Sequence, residues 1–526
     1  MNGADNLLDT LIAGGVEVCF ANPGTSEMQL VSAIGNRDGM RAILCLFEGV
    51  ASGAADGYAR MTDTPALTLL HLGSGFANSM ANQHNAMRAH VPLINLVGDH
   101  ATWHQQYDAP LTSDVAAHAA IPSDWVRVSE SPDDLAQAGA EAIQAAQTGA
   151  GGIATVIVPA NHAWEDAKVA AEPLPVPRRT RVPEASIARA AAVLKSARTP
   201  ALFLGGRALR EPGLDAAGRI ARATGARLLC ETFSARLQRG VGRVAVERLP
   251  YFAEEALQAL AGLDRIVFIG ARPPVSFFAY PGKPSWLTPE DCETLELATV
   301  DEDVEQALLD LADALSAHEP ANVVAPAPEP EVETPAATQH GPLTPLALGQ
   351  SLSALLPENA IVTDEAATCG MALYPLTTQA AAHDWLSLTG GAIGIGLPLA
   401  LGASVACPER KVVALQADGS AMYTVQALWT MAREQTDVTV VIMNNRSYAI
   451  LNIELARVGA GTPTPKTLSM LDLSRPDIDW VEIARGMGVP ATRATTPAEF
   501  HEQFEAAVAR PGPALIDAVV TQELPG

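Results

Sequence analysis

A three-domain α/β chain built on doubly wound parallel sheets is the fold class that this sequence predicts, and three observations carry that expectation. Its 526 residues exceed what one core usually holds, about 100–200 residues. Two Pro-rich joints, 172–183 (EPLPVPRRTRVP) and 319–342 (containing APAPEPEVETPAA), divide it into pieces of similar size, 1–171, 184–318 and 343–526. The second joint is acidic and rich in Pro and Ala, which makes it a semi-rigid linker rather than part of a core. Within each piece, short unbroken apolar runs alternate with helix-like stretches, as parallel strands covered on both faces do.

In chain order, the first piece offers strands at Ala66–His71, Leu93–Val97 and Ala154–Val158. The middle piece offers Ala201–Leu204 and Arg265–Ile269, each followed by Gly, and the last offers Ala360–Val362, Lys411–Gln416 and Val438–Met443. The uncharged run from Leu386 to Pro408 is long enough for a membrane span. Its Gly390, Gly391, Gly394, Gly396 and Pro398 instead predict a Gly-rich turn feeding a buried helix, so no membrane partner is expected. A net charge of −25 and a pI near 4.8 repel phosphate backbones and argue against nucleic acid. The six cysteines are scattered without zinc-type spacing and read as small core residues. Met1–Asp5 lacks a basic stretch followed by an apolar one, so a cytoplasmic location without a signal peptide is expected.

In parallel sheets ligands bind beyond the C-terminal strand ends, and the sharpest chemical pattern lies there. The run KVVALQ leads into Ala417-Asp418-Gly419-Ser420, and VTVVIM leads into Asn444-Asn445. One strand–helix–strand unit separates Asp418 from Asn445, which brings both to one sheet edge. Mg²⁺ takes oxygen ligands and is usually shared with phosphate; Asp418, the Asn445 amide and the Ser447 carbonyl would supply three. Gly419 and Ser420, at a helix start, would offer N–H groups and a hydroxyl to a diphosphate. Asp-Gly and Asn-Asn are each ordinary loop sequences; the pair at this spacing is not. A second candidate, Glu48, stands among small and apolar residues (RAILCLFEGVASGAADGYAR), where a carboxylate is poorly solvated.

Together these stretches resemble the family of acetolactate synthase (large subunit) and benzoylformate decarboxylase, enzymes dependent on thiamine diphosphate (ThDP). Ala417 replaces the first Gly of that family's cofactor motif. The run from Glu48 to Tyr58 resembles the catalytic-glutamate helix. Asn22-Pro23-Gly24-Thr25-Ser26-Glu27 resembles the family's Asn-Pro-Gly loop, which implies Asn22 and Gly24 beside the cofactor and Thr25 where relatives place a substrate-contacting serine. His71 matches an active-site histidine, a proton carrier near neutral pH. Thr389–Gly394 resembles the aminopyrimidine loop, which implies the Gly391 carbonyl as an acceptor and Ile393 as the wedge that bends the cofactor, with Thr368 near its diphosphate. Pro273–Tyr280 departs from the decarboxylases, carrying Phe277 and Phe278 where a second histidine should stand. His84, His100, His104 and Tyr107 could line the pocket or a subunit interface.

The resemblance implies a pyrimidine-binding domain (1–171), a central domain (184–318) and a diphosphate- and Mg²⁺-binding domain (343–526). It implies a homodimer or homotetramer in which Glu48 and Asp418 reach one cofactor from different chains. The reaction implied is cleavage or formation of the C–C bond beside the carbonyl of a small 2-oxo acid: decarboxylation to an enamine, then protonation or ligation. Some relatives bind FAD, but 184–318 carries no dependable signature for it. A 2-hydroxyacyl-CoA lyase and a non-catalytic subunit are the alternatives. Retention of Glu48, Asp418 and Asn445 argues against the latter, since a scaffold needs none of them.

Overall fold

The computed structural model describes residues 1–325 and 341–521, so most of the expected linker at 319–342 lies outside the described residues. Three sheets organise the rest. The first orders its strands β2-β1-β3-β4-β6-β5, with β1 (Val18–Asn22), β2 (Arg41–Leu44), β3 (Ala66–His71), β4 (Leu93–Asp99), β5 (Trp125–Val128) and β6 (Ile153–Pro159) all parallel. Every residue of β3, β4 and β6 is buried except the terminal His71 and Asp99, which is why these strands read as unbroken apolar runs.

The second sheet runs β10-β8-β7-β11-β12, from β7 (Pro200–Leu204), β8 (Arg227–Cys230), β10 (Glu247–Arg248), β11 (Arg265–Ile269) and β12 (Glu293–Ala298), all parallel. The third runs β17-β18-β16-β15-β13-β14-β9, from β13 (Ala360–Glu365), β14 (His383–Ser387), β15 (Val412–Ala417), β16 (Val438–Asn444), β17 (Ala491–Ala494) and β18 (Ala514–Val519). Its last member, β9 (Leu237–Arg239), comes from the middle of the chain and pairs antiparallel with β14.

Each sheet reverses its strand order at an interior point: between β1 and β3, between β7 and β11, and between β13 and β15. At such points the connections leave in opposite directions and open a crevice beyond the strand ends. The sequence-predicted site residues distribute over the first and third of these crevices.

The first and third sheets meet through two crossing helices, Glu48–Thr62 and Gly396–Ala406. The second is the buried helix expected from the uncharged run, and Pro398 sits in its first turn, where a missing N–H is tolerated. Glycine permits the close approach. A methyl group on Gly402 would lie 1.8 Å from the Ala54 carbonyl oxygen, and one on Gly57 would lie 2.2 Å from that of Leu399. Buried Arg60 fixes the crossing: it pairs with Asp56 (Nε–Oδ1 2.7 Å) and donates to the carbonyls of Ser387 (2.7 Å) and Ala235 (3.0 Å), tying all three parts of the chain together. Among the described residues no helix is long and apolar enough to cross a membrane.

Candidate active site

At the first crevice, β1 ends at Asn22 and the chain turns through Gly24 into a short 3-10 helix, Thr25–Glu27. Glu27 is fully buried. Its carboxylate accepts from the Gly24 N–H (2.8 Å) and the Ser26 hydroxyl (2.8 Å), and it bonds His71 Nδ1 (2.8 Å) at the end of β3. The fit is tight: a methyl on Gly24 would lie 2.3 Å from the imidazole, and one on Gly98 would lie 1.8 Å from Glu27 Oε1. Glu48 begins its helix, buried, and its Oε2 accepts from Asn78 Nδ2 (3.0 Å). Oε1 faces Gly75, where a methyl would stand 3.1 Å from it and 3.3 Å from His71 Cβ. Glu48 and His71 therefore share one wall. Thr25 is exposed at the mouth, with Asn22 half-buried behind it.

The third crevice gathers Thr368, Asp418, Asn445 and Ser447. Asp418 is buried, its oxygens accepting from the backbone N–H groups of Gly419 (2.8 Å) and Arg446 (2.7 Å). No cationic side chain pairs with it among the described residues, and burial pushes its carboxyl up to about 6. The Asn445 amide oxygen accepts from the Ser447 N–H at 3.0 Å, which closes the loop that carries the Ser447 carbonyl. Ser420 donates its hydroxyl to the Ala417 carbonyl and accepts from Gln416 Nε2 (2.6 Å). Gly419 is required by Tyr448, whose ring would lie 2.4 Å from a methyl there. Thr368 adjoins Cys369, whose thiol is pushed up to about 12 by burial and, secondarily, by the nearby charge of Asp418. Leu72, Ala367 and Arg446 adopt positive φ (54°, 49° and 56°), and each adjoins a candidate residue: His71, Thr368, and Asn445 with Ser447. Strain of this kind gathers at functional sites.

The loop 389–394 is held from both sides. Asn85 bonds the Ala392 carbonyl (2.7 Å) and N–H (3.2 Å), and His84 Nε2 meets the Gly390 carbonyl at 3.1 Å. Asn82 bridges the carbonyls of Gly49 (2.7 Å) and Gly394 (3.3 Å). Buried Glu365 accepts from the N–H groups of Gly394 and Gly396, both at 2.6 Å, and from Gln416 (3.0 Å). Burial pushes its carboxyl up to about 7 against the pull of those donors. Ile393 is half-buried between these anchors. Gly391 has φ +75°, and a methyl on it would meet Phe277 Cζ at 2.8 Å. Phe277 and Phe278 are 43% and 53% exposed, so they form a wall beside this loop rather than a core.

The N-terminal domain model of thiamine pyrophosphate enzymes matches residues 1–121, and the C-terminal TPP-binding domain model matches 366–518. The chain is 53% identical over 523 residues to the Mycobacterium tuberculosis protein named "Putative acetolactate synthase large subunit IlvX", covering 99% of each. The chain belongs to the thiamine pyrophosphate enzymes. Benzoylformate decarboxylase of Pseudomonas aeruginosa is 29% identical, with 97% of each chain covered. The solved structure of the Rhodococcus jostii RHA1 ThDP-dependent 4-hydroxybenzoylformate decarboxylase superposes with a TM-score of 0.85 at 26% identity, covering 99% of each chain.

Membership of the thiamine pyrophosphate enzymes gives the two matched domains a common purpose, and the residues present fit it. A desolvated carboxylate without a cationic partner, next to an amide and a loop carbonyl, suits a metal ion that brings further oxygen ligands with it. No group of three His, Cys, Asp or Glu side chains that could hold a metal unaided occurs among the described residues. Several members of the site were not singled out from sequence: Glu27, Glu365, and the stripe of Asn78, Asn82 and Asn85, of which the last two are buried. The stripe's spacing of four and three residues on one helix face was the available signal. His100, His104 and Tyr107 pack as tilted rings against one another (centroids 5.4 and 6.0 Å).

The second crevice holds a cavity of about 880 Å³ whose lining includes Arg60, Arg88, Arg207, Arg236 and Arg272. It reaches Phe277, Thr389 and Gly390.

Proposed function

We propose that this chain makes or breaks the C–C bond beside the carbonyl of a 2-oxo acid, using ThDP and Mg²⁺. The observation that carries this reading is buried, cation-free Asp418 at the same edge as Asn445 and Ser447. Asp418, Asn445 and the Ser447 carbonyl hold the metal; Thr368, Gly419 and Ser420 receive the diphosphate. Gly391 and Ile393 seat the aminopyrimidine, and Asn22 and Gly24 complete its enclosure. When bound, ThDP supplies the electron sink that lets CO₂ leave a 2-oxo acid. Glu48, steadied by Asn78, holds or releases the proton of the aminopyrimidine. His71, oriented by Glu27, serves as proton carrier toward the substrate, with Thr25 at the mouth.

Exposed apolar side chains flank both the Glu48 and the Asp418 groups: Met28 and Leu46 near the first, Met422, Tyr423 and Leu451 near the second. This supports a homodimer or tetramer with each active site shared between subunits, testable by light scattering. All six cysteines are free thiols, which favours a reducing cytoplasmic setting. Titration calorimetry with ThDP and Mg²⁺, followed by C2 hydrogen–deuterium exchange on the bound coenzyme in Glu48→Gln, tests the assignment. Unchanged exchange in that variant would remove Glu48 from its role.

Phe277, against Gly391, cannot donate a proton, which favours ligation to a second carbonyl over release of an aldehyde. Acetolactate from pyruvate alone is the product expected on this basis. The arginine-lined cavity favours a second reading, in which a phosphate-bearing group such as FAD or the nucleotide of a CoA thioester occupies the middle domain. Binding of FAD or CoA measured by calorimetry decides it.

A further inference from the structure

The segment between β11 and β12 presents Phe277 to Gly391. It is closed on itself by the Ser276 N–H to the Ser285 carbonyl (2.8 Å) and the Ser276 hydroxyl to the Pro284 carbonyl (2.7 Å). Two side chains then tie it outward. Tyr280 Oη donates to Glu454 Oε2 at 2.6 Å, and Lys283 Nζ pairs with Glu254 at 2.9 Å. Glu254 also receives Arg457 at 2.6 Å, and these two cations pull its carboxyl down to about 2. The Arg457 guanidinium lies over the rings of Phe252 (4.3 Å) and Tyr280 (5.2 Å).

Glu454 and Arg457 belong to the helix Ala449–Arg457, of which only Ala449 is buried. A nine-residue helix with so little packing is marginal by itself, so its position depends on such side-chain ties. Its other end bears on the candidate metal loop: Asn452 Nδ2 donates to Ser447 Oγ at 3.0 Å, and Tyr448 lies against Gly419. The segment that sets Phe277 against Gly391 is thus tied to the helix whose Asn452, with Tyr448 just before it, bears on the loop of Asn445 and Ser447. Isolated surface ion pairs contribute little. Here a tyrosine, two carboxylates and two cations share partners, and Glu454 and Arg457 are half-buried, which makes a network rather than a pair.

We propose that Tyr280, Glu254, Glu454 and Arg457 form a clasp that positions the metal loop and the Phe277 wall together, so that cofactor affinity and the shape of the substrate pocket are set by one device. These are positioning residues. The inference rests on the metal and diphosphate assignment made above. Opening the clasp lowers the fraction of chains whose 445–447 loop is ready to bind, and apparent affinity falls by that fraction.

The test measures ThDP binding by calorimetry at saturating Mg²⁺, and melting of the cofactor-free protein, for the parent, Tyr280→Phe, Glu454→Ala, Glu454→Gln and the double variant Tyr280→Phe/Glu454→Ala. Glu454→Ala should weaken ThDP about tenfold, the effect of one charge-assisted hydrogen bond, with the cofactor-free melting temperature unchanged. Glu454→Gln keeps an acceptor for Tyr280 and should recover most of the affinity. Adding Tyr280→Phe to Glu454→Ala should cost nothing further, because both remove one bond. Tyr280→Phe should also raise KM for the 2-oxo acid several-fold. Equal ThDP affinity in parent and all variants, or a loss that tracks only melting temperature, overturns the clasp. A parent that binds no ThDP overturns the underlying assignment instead.

Discussion

The imidazole of His71 rests on the buried carboxylate of Glu27, Nδ1 to Oε2 at 2.8 Å, in a space that Gly24 and Gly98 leave open. With Nδ1 donating to an acceptor that is itself held by Gly24 and Ser26, the tautomer is fixed and Nε2 is left for chemistry. Loss of a positioned acid–base group costs about 10²–10⁴ in rate. His71→Ala should therefore lower kcat within that range. Glu27→Gln, which keeps the shape and loses the charge, should lower it by about tenfold. Gly24→Ala, whose methyl would strike the ring, should resemble His71→Ala. Steady-state kinetics on the three variants checks the set, and an active Gly24→Ala enzyme would count against the geometry.

The parallel sheets were legible because each buried strand is an unbroken apolar run, and the shared sheet edge of Asp418 and Asn445 because one strand–helix–strand unit separates them. Glu27 was not, although it stands inside the quoted Asn-Pro-Gly run. Its partner His71 lies 44 residues further on, and its own neighbours give no sign that the carboxylate is buried. Glu365 was hidden for the same reason: its partners Gly394, Gly396 and Gln416 come from other elements. The arginines of the middle cavity converge from separate segments, and no local spacing announces them. β9 escaped because three residues pairing at a sheet edge carry too short a pattern to read.

The crossing of the helices Glu48–Thr62 and Gly396–Ala406 should tolerate no added volume. In Gly402→Ala the methyl would sit 1.8 Å from the Ala54 carbonyl oxygen, and backbone must move to admit it. Overpacking of this kind costs about 3 kcal/mol, so the melting temperature should fall by several degrees. Gly35→Ala, where no atom lies within 4 Å of the added methyl, is the control and should leave it unchanged. Thermal melts by circular dichroism decide between them.

Glu365 gives stability a distinct pH signature. Burial raises its carboxyl from an ordinary 4.5 to about 7, so the folded chain holds this proton more tightly than the unfolded one. Its contribution is complete below about 4.5 and is lost as pH rises through about 7, a change of roughly 3 kcal/mol. Glu365→Gln cannot titrate. The melting temperature of the parent relative to this variant should therefore fall between pH 5 and pH 8. A constant difference across that range would mean that the three N–H donors from Gly394, Gly396 and Gln416 keep the carboxylate ionised throughout.

Phe277 offers the most direct control over products. Its ring stands against Gly391 and packs edge-on with Phe233 and Phe278 (centroids 5.7 and 5.1 Å), so the wall it forms is apolar and donates no proton. Phe277→His would put an imidazole, which can carry a proton near neutral pH, at the same place without enlarging the side chain. Positioned proton transfer contributes about 10²–10⁴, and even a poorly aligned donor should shift partitioning by tenfold or so. With benzoylformate or pyruvate as substrate, the ratio of aldehyde to ligated product, read by chromatography, should rise in Phe277→His. Phe277→Leu, which removes the ring and adds no donor, should leave that ratio near the parent's. An equal rise in both variants would mean that bulk, and not the missing proton, governs the outcome.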